Sequence, residues 1–423
     1  MSPANKRKKI KTIFPKTTDE KIKSFISLIF VCIFIALITT PVVLLDRTTT
    51  ISMLERRVLA NPPRIFQTGS ASSGLSNLNL TRLPREIDAY INDRFAFRSR
   101  LMTAMTWFNF KVLQQRHDDK ILVGKDSWLF YIDPSLGDEF ANFSKTNLFN
   151  DAQMRFFLRT INSVYDFCER HDITFIFLIV PTTSTVYPEQ YPFPRSDGLS
   201  LVDQIFEAMP EPIRARTIFP LNHYLRMKEK HSQPLYYNNG LHWNSLGAYY
   251  AFELLYEKLK LDFPNLPEIE FSFTPYIDPG EDNFTMLWWG IKQFGDFLEL
   301  LRVEPLNGWD NYYRYLVLNS VEENQFNTVV GYASRRGKYG VVTEHVDSTL
   351  PSAIVIRDSY FVDLQPFTSS IFSHAEYIWS QPEKRSLQYL ESLPVKPDVL
   401  IWEIAERGLE AIPLMPYGVF PGS

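Results

Sequence analysis

Residues 24–45 read SFISLIFVCIFIALITTPVVLL, 22 residues without a charged side chain. At about 1.5 Å per residue, such a helix reaches roughly 33 Å, the thickness of a bilayer's hydrocarbon core. A secretory signal has a shorter apolar region and a small-residue cleavage site. The run ends in Thr39-Thr40-Pro41 and lacks that pattern, so it reads as an uncleaved anchor. Eight Lys/Arg stand between Lys6 and Lys23 against Asp19 and Glu20, a net +6 just before the run. The positive-inside rule then makes residues 1–23 a cytoplasmic basic tail and puts everything after Asp46 outside the cytoplasm.

The whole chain has a net charge of −4, so the part after the basic tail is about −10. Nothing there resembles the basic footprint of a nucleic-acid binder, and no nucleic-acid partner is expected. Of the two cysteines, Cys32 lies in the apolar run and Cys168 in a helix-like stretch, so no internal disulfide is expected. C-x-x-C and other metal-ligand spacings are absent from the sequence. Neither a metal nor a cofactor is expected.

Residues 46–82 are rich in Ser, Asn, Thr and Pro and read as a linker. Residues 83–415 read as one extracytoplasmic domain. Ile87, Tyr90, Ile91 and Phe95 recur at helical spacing, and a second helix is expected from Ser99 to Leu113. Ile121 to Tyr131 predicts a β-hairpin around Gly124-Lys125-Asp126. Met154–Glu169 is amphipathic and precedes the apolar run Ile173–Val180, stopped by Pro181. Continuous apolar strands after helices indicate a parallel sheet covered on both faces. The alternation returns with helices over Ser200–Met209, Gly247–Leu259, Phe361–Phe372 and Pro382–Leu393. Strands are expected at Thr217–Leu221, Ala353–Ile356 and Val399–Trp402. The expected fold is three-layer α/β, with residues 262–345 as an irregular insertion rich in Asn, Trp and Tyr.

Active sites of open parallel sheets lie at the carboxyl ends of strands. Two places put reactive side chains there. The strand Ala353–Ile356 runs into Arg357-Asp358-Ser359-Tyr360, followed by a helix-like segment whose amides can stabilise an oxyanion. A serine at a helix start is also a common cap. The block Tyr236-Tyr-Asn-Asn-Gly-Leu-His242-Trp-Asn-Ser-Leu-Gly-Ala-Tyr-Tyr250 sets His242 and Trp243 just before a strong helix, with Asn244 or Ser245 to cap it and Gly247 for close packing. A histidine there is a candidate general base for a serine nucleophile. Asp358 is expected to order its turn by accepting backbone N–H groups. Arg407 and Glu406 are expected to form an ion pair near the sheet end.

In order and spacing, these blocks resemble the SGNH-hydrolase-like families that include the alginate acetylation and DHHW-type proteins. The resemblance covers residues 83–411 and is weakest in the insertion. Tyr90–Arg98 and Val123–Phe130 look like the family's opening, Val180–Pro188 like the loop after its second strand, and Pro397–Arg407 like its final strand and exit. Tyr236–Tyr250 is similar to its D-x-H-W-N block and Ile356–Tyr360 to its nucleophile block. The resemblance implies an SGNH-hydrolase-like, flavodoxin-like parallel sheet. It implies Ser359 as nucleophile and His242 as base, supported by Asp358, Arg357, Trp243, Asn239 and Tyr360. Two positions depart from the family. Gly240 stands where an Asp usually orients the histidine, and Thr182-Thr183 stands where Asn-Lys is common. Without that Asp, a carboxylate from elsewhere, Asn238 or Asn239, or a backbone carbonyl must orient His242, or the domain only binds.

The implied chemistry is acyl transfer through an acetyl-serine, handed to a sugar hydroxyl or to water. The resemblance points to an O-acetyltransferase for an envelope or exported polysaccharide, at a bacterial inner membrane with its C-terminal domain in the periplasm. It also implies a membrane-bound acyltransferase partner that delivers acetyl groups. The rival readings are a carbohydrate acetylesterase and a non-catalytic polysaccharide-binding scaffold. Gly240 favours the scaffold, together with the aromatic residues Trp288, Trp289, Trp309, Tyr312, Tyr313 and Tyr315, which can stack on sugars.

Overall fold

The computed structural model describes residues 18–52, 57–63, 65, 81–113, 120–126, 128–133, 137–231, 233–238, 240–268, 271–277, 313–319, 326–333, 339–379 and 381–421. The chain divides into two units, Met1–Met105 and Thr106–Ser423.

In the first unit, Thr18–Val43 is one continuous helix, and Leu83–Arg94 is a second. Among the described residues no helix is long and apolar enough to cross a membrane. Part of the segment after the first helix is tied down rather than loose. Arg94 is buried; its Nε donates to the Ala60 carbonyl at 2.9 Å and its Nη1 to that of Thr49 at 2.7 Å. Asp93 accepts from the Ala60 amide at 2.8 Å.

The second unit is built on a seven-stranded mixed sheet. Its strands are β1 (Thr174–Val180), β2 (Thr217–Ile218), β3 (Phe326–Ala333), β4 (Tyr339–His345), β5 (Ser352–Ile356), β6 (His374–Ile378) and β7 (Val399–Ala405). The order across the sheet is β2-β1-β7-β5-β6-β4-β3. The first five run parallel, while β4 and β3 add an antiparallel edge. The sheet therefore departs from the flavodoxin-like order, in which the last strand closes an edge. Here β7 sits in the middle, between β1 and β5. Burial accounts for this: every residue of β7 is buried, and so is all of β1 beyond Thr174. Strands covered on both faces belong at the centre of a sheet.

The two faces alternate cleanly along β1. Ile176, Leu178 and Val180 join one core with Val355, Ile401 and Phe361. Phe175, Phe177 and Ile179 join the other with Phe157, Ile161, Trp402 and Ile404. The first face is covered by Ser245–Lys260 and Phe361–Ser369, joined where Phe252 stacks on Phe367 at 5.5 Å. The second is covered by Asp151–Arg170, whose Asn150–Gln153 capping box satisfies its first amides. This is the three-layer arrangement expected.

Three expectations are corrected. The insertion is less irregular than its composition implies: Phe271–Ile277 pairs with Tyr313–Asn319, and β3 and β4 join the main sheet. The β-branched residues Thr328, Val329, Val330, Val341, Val342 and Thr343 are the signal for these strands. The expected helix over Pro382–Leu393 is split into a 3-10 turn, Pro382–Lys384, and a helix at Leu387–Ser392. Between them Arg385 turns inward to donate to the Arg357 carbonyl at 3.0 Å and to that of Trp379. Strand β6 had no counterpart in the sequence reading.

Candidate active site

Ser359 lies just past the carboxyl end of β5, in the turn that leads into the helix Phe361–Ser369. Two acidic side chains fix this turn. The Asp358 amide donates to Glu403 Oε2 at 2.8 Å. Asp358 itself accepts from the Tyr360 amide through Oδ1 and from the Ala405 amide through Oδ2, both at 2.8 Å. Asp358 therefore orders the turn, as expected, and ties it to the end of β7. With the amides of Asp358 and Tyr360 engaged, that of Ser359 donates to no described group. It is the turn's candidate oxyanion donor.

His242 reaches the serine from 117 residues away in sequence. It sits in a short excursion closed by a bridge between Tyr236 and Trp243, with the Tyr237 amide donating to the His242 carbonyl at 3.3 Å. The helix Ser245–Lys260 starts immediately after. Asn244 caps it by accepting from the amides of Leu246 and Gly247 at 3.0 and 3.1 Å. This anchored helix start holds His242 in place, and its Nε2 lies 2.8 Å from Ser359 Oγ. That is hydrogen-bond reach for a nucleophile and its base. Both residues are half-buried, beside the fully buried Trp243 and Tyr360.

The structure brings together most of the residues named from the sequence. The Trp243 indole N–H donates to the Tyr360 carbonyl at 2.8 Å, and the Tyr360 hydroxyl donates to the Leu241 carbonyl. Arg357 is buried. Its Nη1 donates to the Asp358 carbonyl at 2.9 Å and its guanidinium lies over the Trp379 ring at 4.9 Å. Asn239 lies outside the described residues, as do Trp288, Trp289, Trp309 and Tyr312. Tyr313 and Tyr315 lie on the strand Tyr313–Asn319.

The loop after β1 forms another wall. The Thr182 amide donates to Glu406 Oε2 at 3.0 Å, and Thr183 Oγ1 donates to the Leu241 carbonyl at 3.4 Å. The expected Arg407–Glu406 ion pair does not occur among the described residues. Glu406 is turned toward the Thr182 amide, and the Arg407 guanidinium lies 5.7 Å from the Tyr131 ring centre and 5.6 Å from that of Tyr360. Glu139, which the sequence reading missed, is buried and accepts from the Ser184 amide at 3.1 Å. Burial pushes its carboxyl above the usual range, while Arg407 and Ser184 pull it back. Nothing local in the sequence marks Glu139, because its surroundings come from β1 and β7. Among the described residues no His, Cys, Asp or Glu cluster is suited to a metal. Cys168 is buried, with its thiol pushed up by burial, and is unsuited to nucleophilic chemistry.

The platform under the serine carries an unusual charge set. Burial pushes Arg357 and Arg385 down to about 10. Glu403 is raised well above the usual carboxylate range, first by burial and then by the neighbouring Asp358. Above its ordinary value of 4.5 and below its raised one, the folded chain holds a proton that the unfolded chain has released. Stability therefore falls as pH rises through that window. Glu403→Gln, neutral at every pH, should flatten this fall in urea unfolding midpoints measured from about pH 5 upward. An unchanged slope would assign the fall to other groups.

Residues 121–285 match the family model described as "SGNH hydrolase-like domain, acetyltransferase AlgX". The match includes His242 and stops short of Ser359, and it bears out the resemblance read from the sequence. No curated protein matches the chain. Among solved structures, the chain is similar to Bacillus cereus PatB1, at 13% identity and a TM-score of 0.46, over 68% of this chain and 96% of that one. The O-acetyltransferase domain of Pseudomonas putida AlgJ is similar at 20% identity and a TM-score of 0.41, over 69% and 92%. A DHHW family protein from Eubacterium siraeum is similar at 10% identity and a TM-score of 0.42, over 68% and 91%.

Proposed function

We propose that this chain, with its SGNH hydrolase-like fold and a paired serine and histidine, is an O-acetyltransferase that works through an acetyl-serine. The observation that carries the reading is the 2.8 Å approach of His242 Nε2 to Ser359 Oγ at the carboxyl end of the sheet. His242 takes the hydroxyl proton as Ser359 Oγ attacks the acetyl carbonyl carbon. The imidazolium returns that proton to the donor's departing oxygen. An acceptor hydroxyl then gives its proton to His242 and takes the acetyl group, and the imidazolium returns that proton to the departing Ser359 Oγ, which restores the serine. The Ser359 amide faces the developing oxyanion.

The acceptor in this reading is a sugar hydroxyl of an envelope or exported polysaccharide, and the donor is a membrane-bound acyltransferase. The basic N-terminal segment and the helix Thr18–Val43 support a single-pass anchor in a bacterial inner membrane, with the domain in the periplasm. The helix leaves Phe25, Leu28, Phe30, Ile33 and Leu37 exposed. The match to the acetyltransferase family model supports transfer over simple hydrolysis.

The test uses the full chain, isolated from carbonate-washed membranes and given para-nitrophenyl acetate with and without acetyl-accepting oligosaccharides. Nitrophenolate release, one acetyl adduct on the intact chain, and loss of that adduct to oligosaccharide are the expected results. Loss to water alone would make it an esterase. A folded chain that forms no adduct would be a binding scaffold, and release from the washed membranes would overturn the anchor.

A further inference from the structure

We propose that Tyr360 is a positioning residue that holds the His242 imidazole against Ser359. The inference rests on the acetyl-transfer reading for its kinetic consequence but not for its geometry.

Tyr360 is 1% exposed and adjoins Ser359 in the chain, so its backbone belongs to the nucleophile turn. Its amide is fixed there by Asp358 Oδ1 at 2.8 Å. Its hydroxyl, its carbonyl and its ring all reach the histidine's neighbourhood. Its hydroxyl donates to the carbonyl of Leu241, just before His242. Its carbonyl accepts from the indole of Trp243, just after His242, at 2.8 Å. Its ring meets the imidazole at 4.7 Å between centres with an interplanar angle of 63°. It meets the Trp243 indole edge-on at 5.7 Å and 86°.

Tyr360 on the nucleophile turn thus bonds the residue before the base through its hydroxyl and the residue after it through its backbone carbonyl, and its ring meets the base itself. Tyr360 acts on the backbone on both sides of His242 and meets its ring edge-on, which fixes where the imidazole sits. Buried hydrogen bonds of this kind limit rotamer and backbone freedom, and a displacement of about 1 Å at a reacting pair costs roughly 10²-fold in rate.

The test compares the native full chain, Tyr360→Phe and Trp243→Phe, each labelled with nitrogen-15 at histidine, by two readouts. The first is the His242 ring resonances, which report whether the imidazole keeps one environment, with or without turnover. The second is the rate of Ser359 acetylation by para-nitrophenyl acetate. In Tyr360→Phe the His242 resonances should broaden or double. Acetylation should slow about 10- to 100-fold with KM within about twofold, because binding is untouched while orientation is lost. Trp243→Phe, which removes only the other grip, should change both readouts in the same direction and less. Native-like His242 resonances in a folded Tyr360→Phe chain would overturn the proposal, and so would equal changes at all seven histidines. If the native chain forms no acetyl-serine while its His242 signal still depends on Tyr360, the acetyl-transfer reading fails and the positioning role stands.

Discussion

Ser359→Ala is expected to abolish the acetyl adduct, and His242→Ala to slow its formation by about 10²- to 10⁴-fold, the range general-base catalysis supplies. The two effects differ in kind. In the proposed reaction, alanine at 359 removes the oxygen that carries the acetyl group, so no slow residual labelling should remain there. Alanine at 242 leaves the serine hydroxyl in place but removes the acceptor 2.8 Å away that takes its proton as the bond forms. The double variant should be no slower in acetate release than Ser359→Ala alone, because the two groups act as one unit. Intact-mass time courses on the three variants check this. An adduct that survives in Ser359→Ala would place the nucleophile elsewhere, and losses that multiply in the double variant would mean independent roles.

Gly247→Ala should be among the most damaging small substitutions in the domain. A Cβ at 247 would lie 2.3 Å from the Leu235 carbonyl oxygen and 2.9 Å from Trp243 Cβ. The backbone oxygen cannot move freely, because it accepts from the Asn244 amide at 2.9 Å. The carbonyl of Gly247 is itself held by the Tyr224 hydroxyl at 2.8 Å. Alanine gains about 1 kcal/mol over glycine in helix propensity, while overpacking at such a contact costs about 3 kcal/mol, so the net loss is about 2 kcal/mol. The pieces that must give way, Leu235 and Trp243, bracket the excursion carrying His242. Acetylation should therefore fall along with the urea midpoint. Native stability in Gly247→Ala would show that the helix start shifts at little cost, and a lower midpoint with native acetylation would uncouple this packing from the base.

The two reactive residues were legible as types in context. A serine after a short apolar strand and a histidine before a capped helix can be read one at a time, and the carboxyl end of a sheet is where such groups gather. The helix and strand layers followed from periodicity because burial on one face or on two leaves its period in the residues themselves. The expected turn-ordering role of Asp358 also held, since a short carboxylate in a tight turn has amides within its own reach.

What the sequence could not carry depends on which strand lies beside which. Placing β7 between β1 and β5 rests on burial over both faces, and local pattern shows that a strand is buried but not which strands flank it. That placement brings Glu403 under the Asp358 amide and carries Glu406 to the loop after β1. The expected Arg407–Glu406 pair does not form because the two residues open the 3-10 turn after β7 and face different neighbours, Glu406 the Thr182 amide and Arg407 the Tyr131 and Tyr360 rings. Glu139 meets the Ser184 amide only because the loop after β1 carries Ser184 to it. Tyr360 reads in sequence as one more aromatic, and its grip on both neighbours of His242 exists only after 117 residues of chain have folded back. The chain alone determined its apolar N-terminal segment, its alternating layers and its reactive residue types, because these are properties of neighbours along the backbone. The tertiary structure decided strand order, buried charge partners and the orientation of the base, because these arise between segments that are brought together only by burying a shared core.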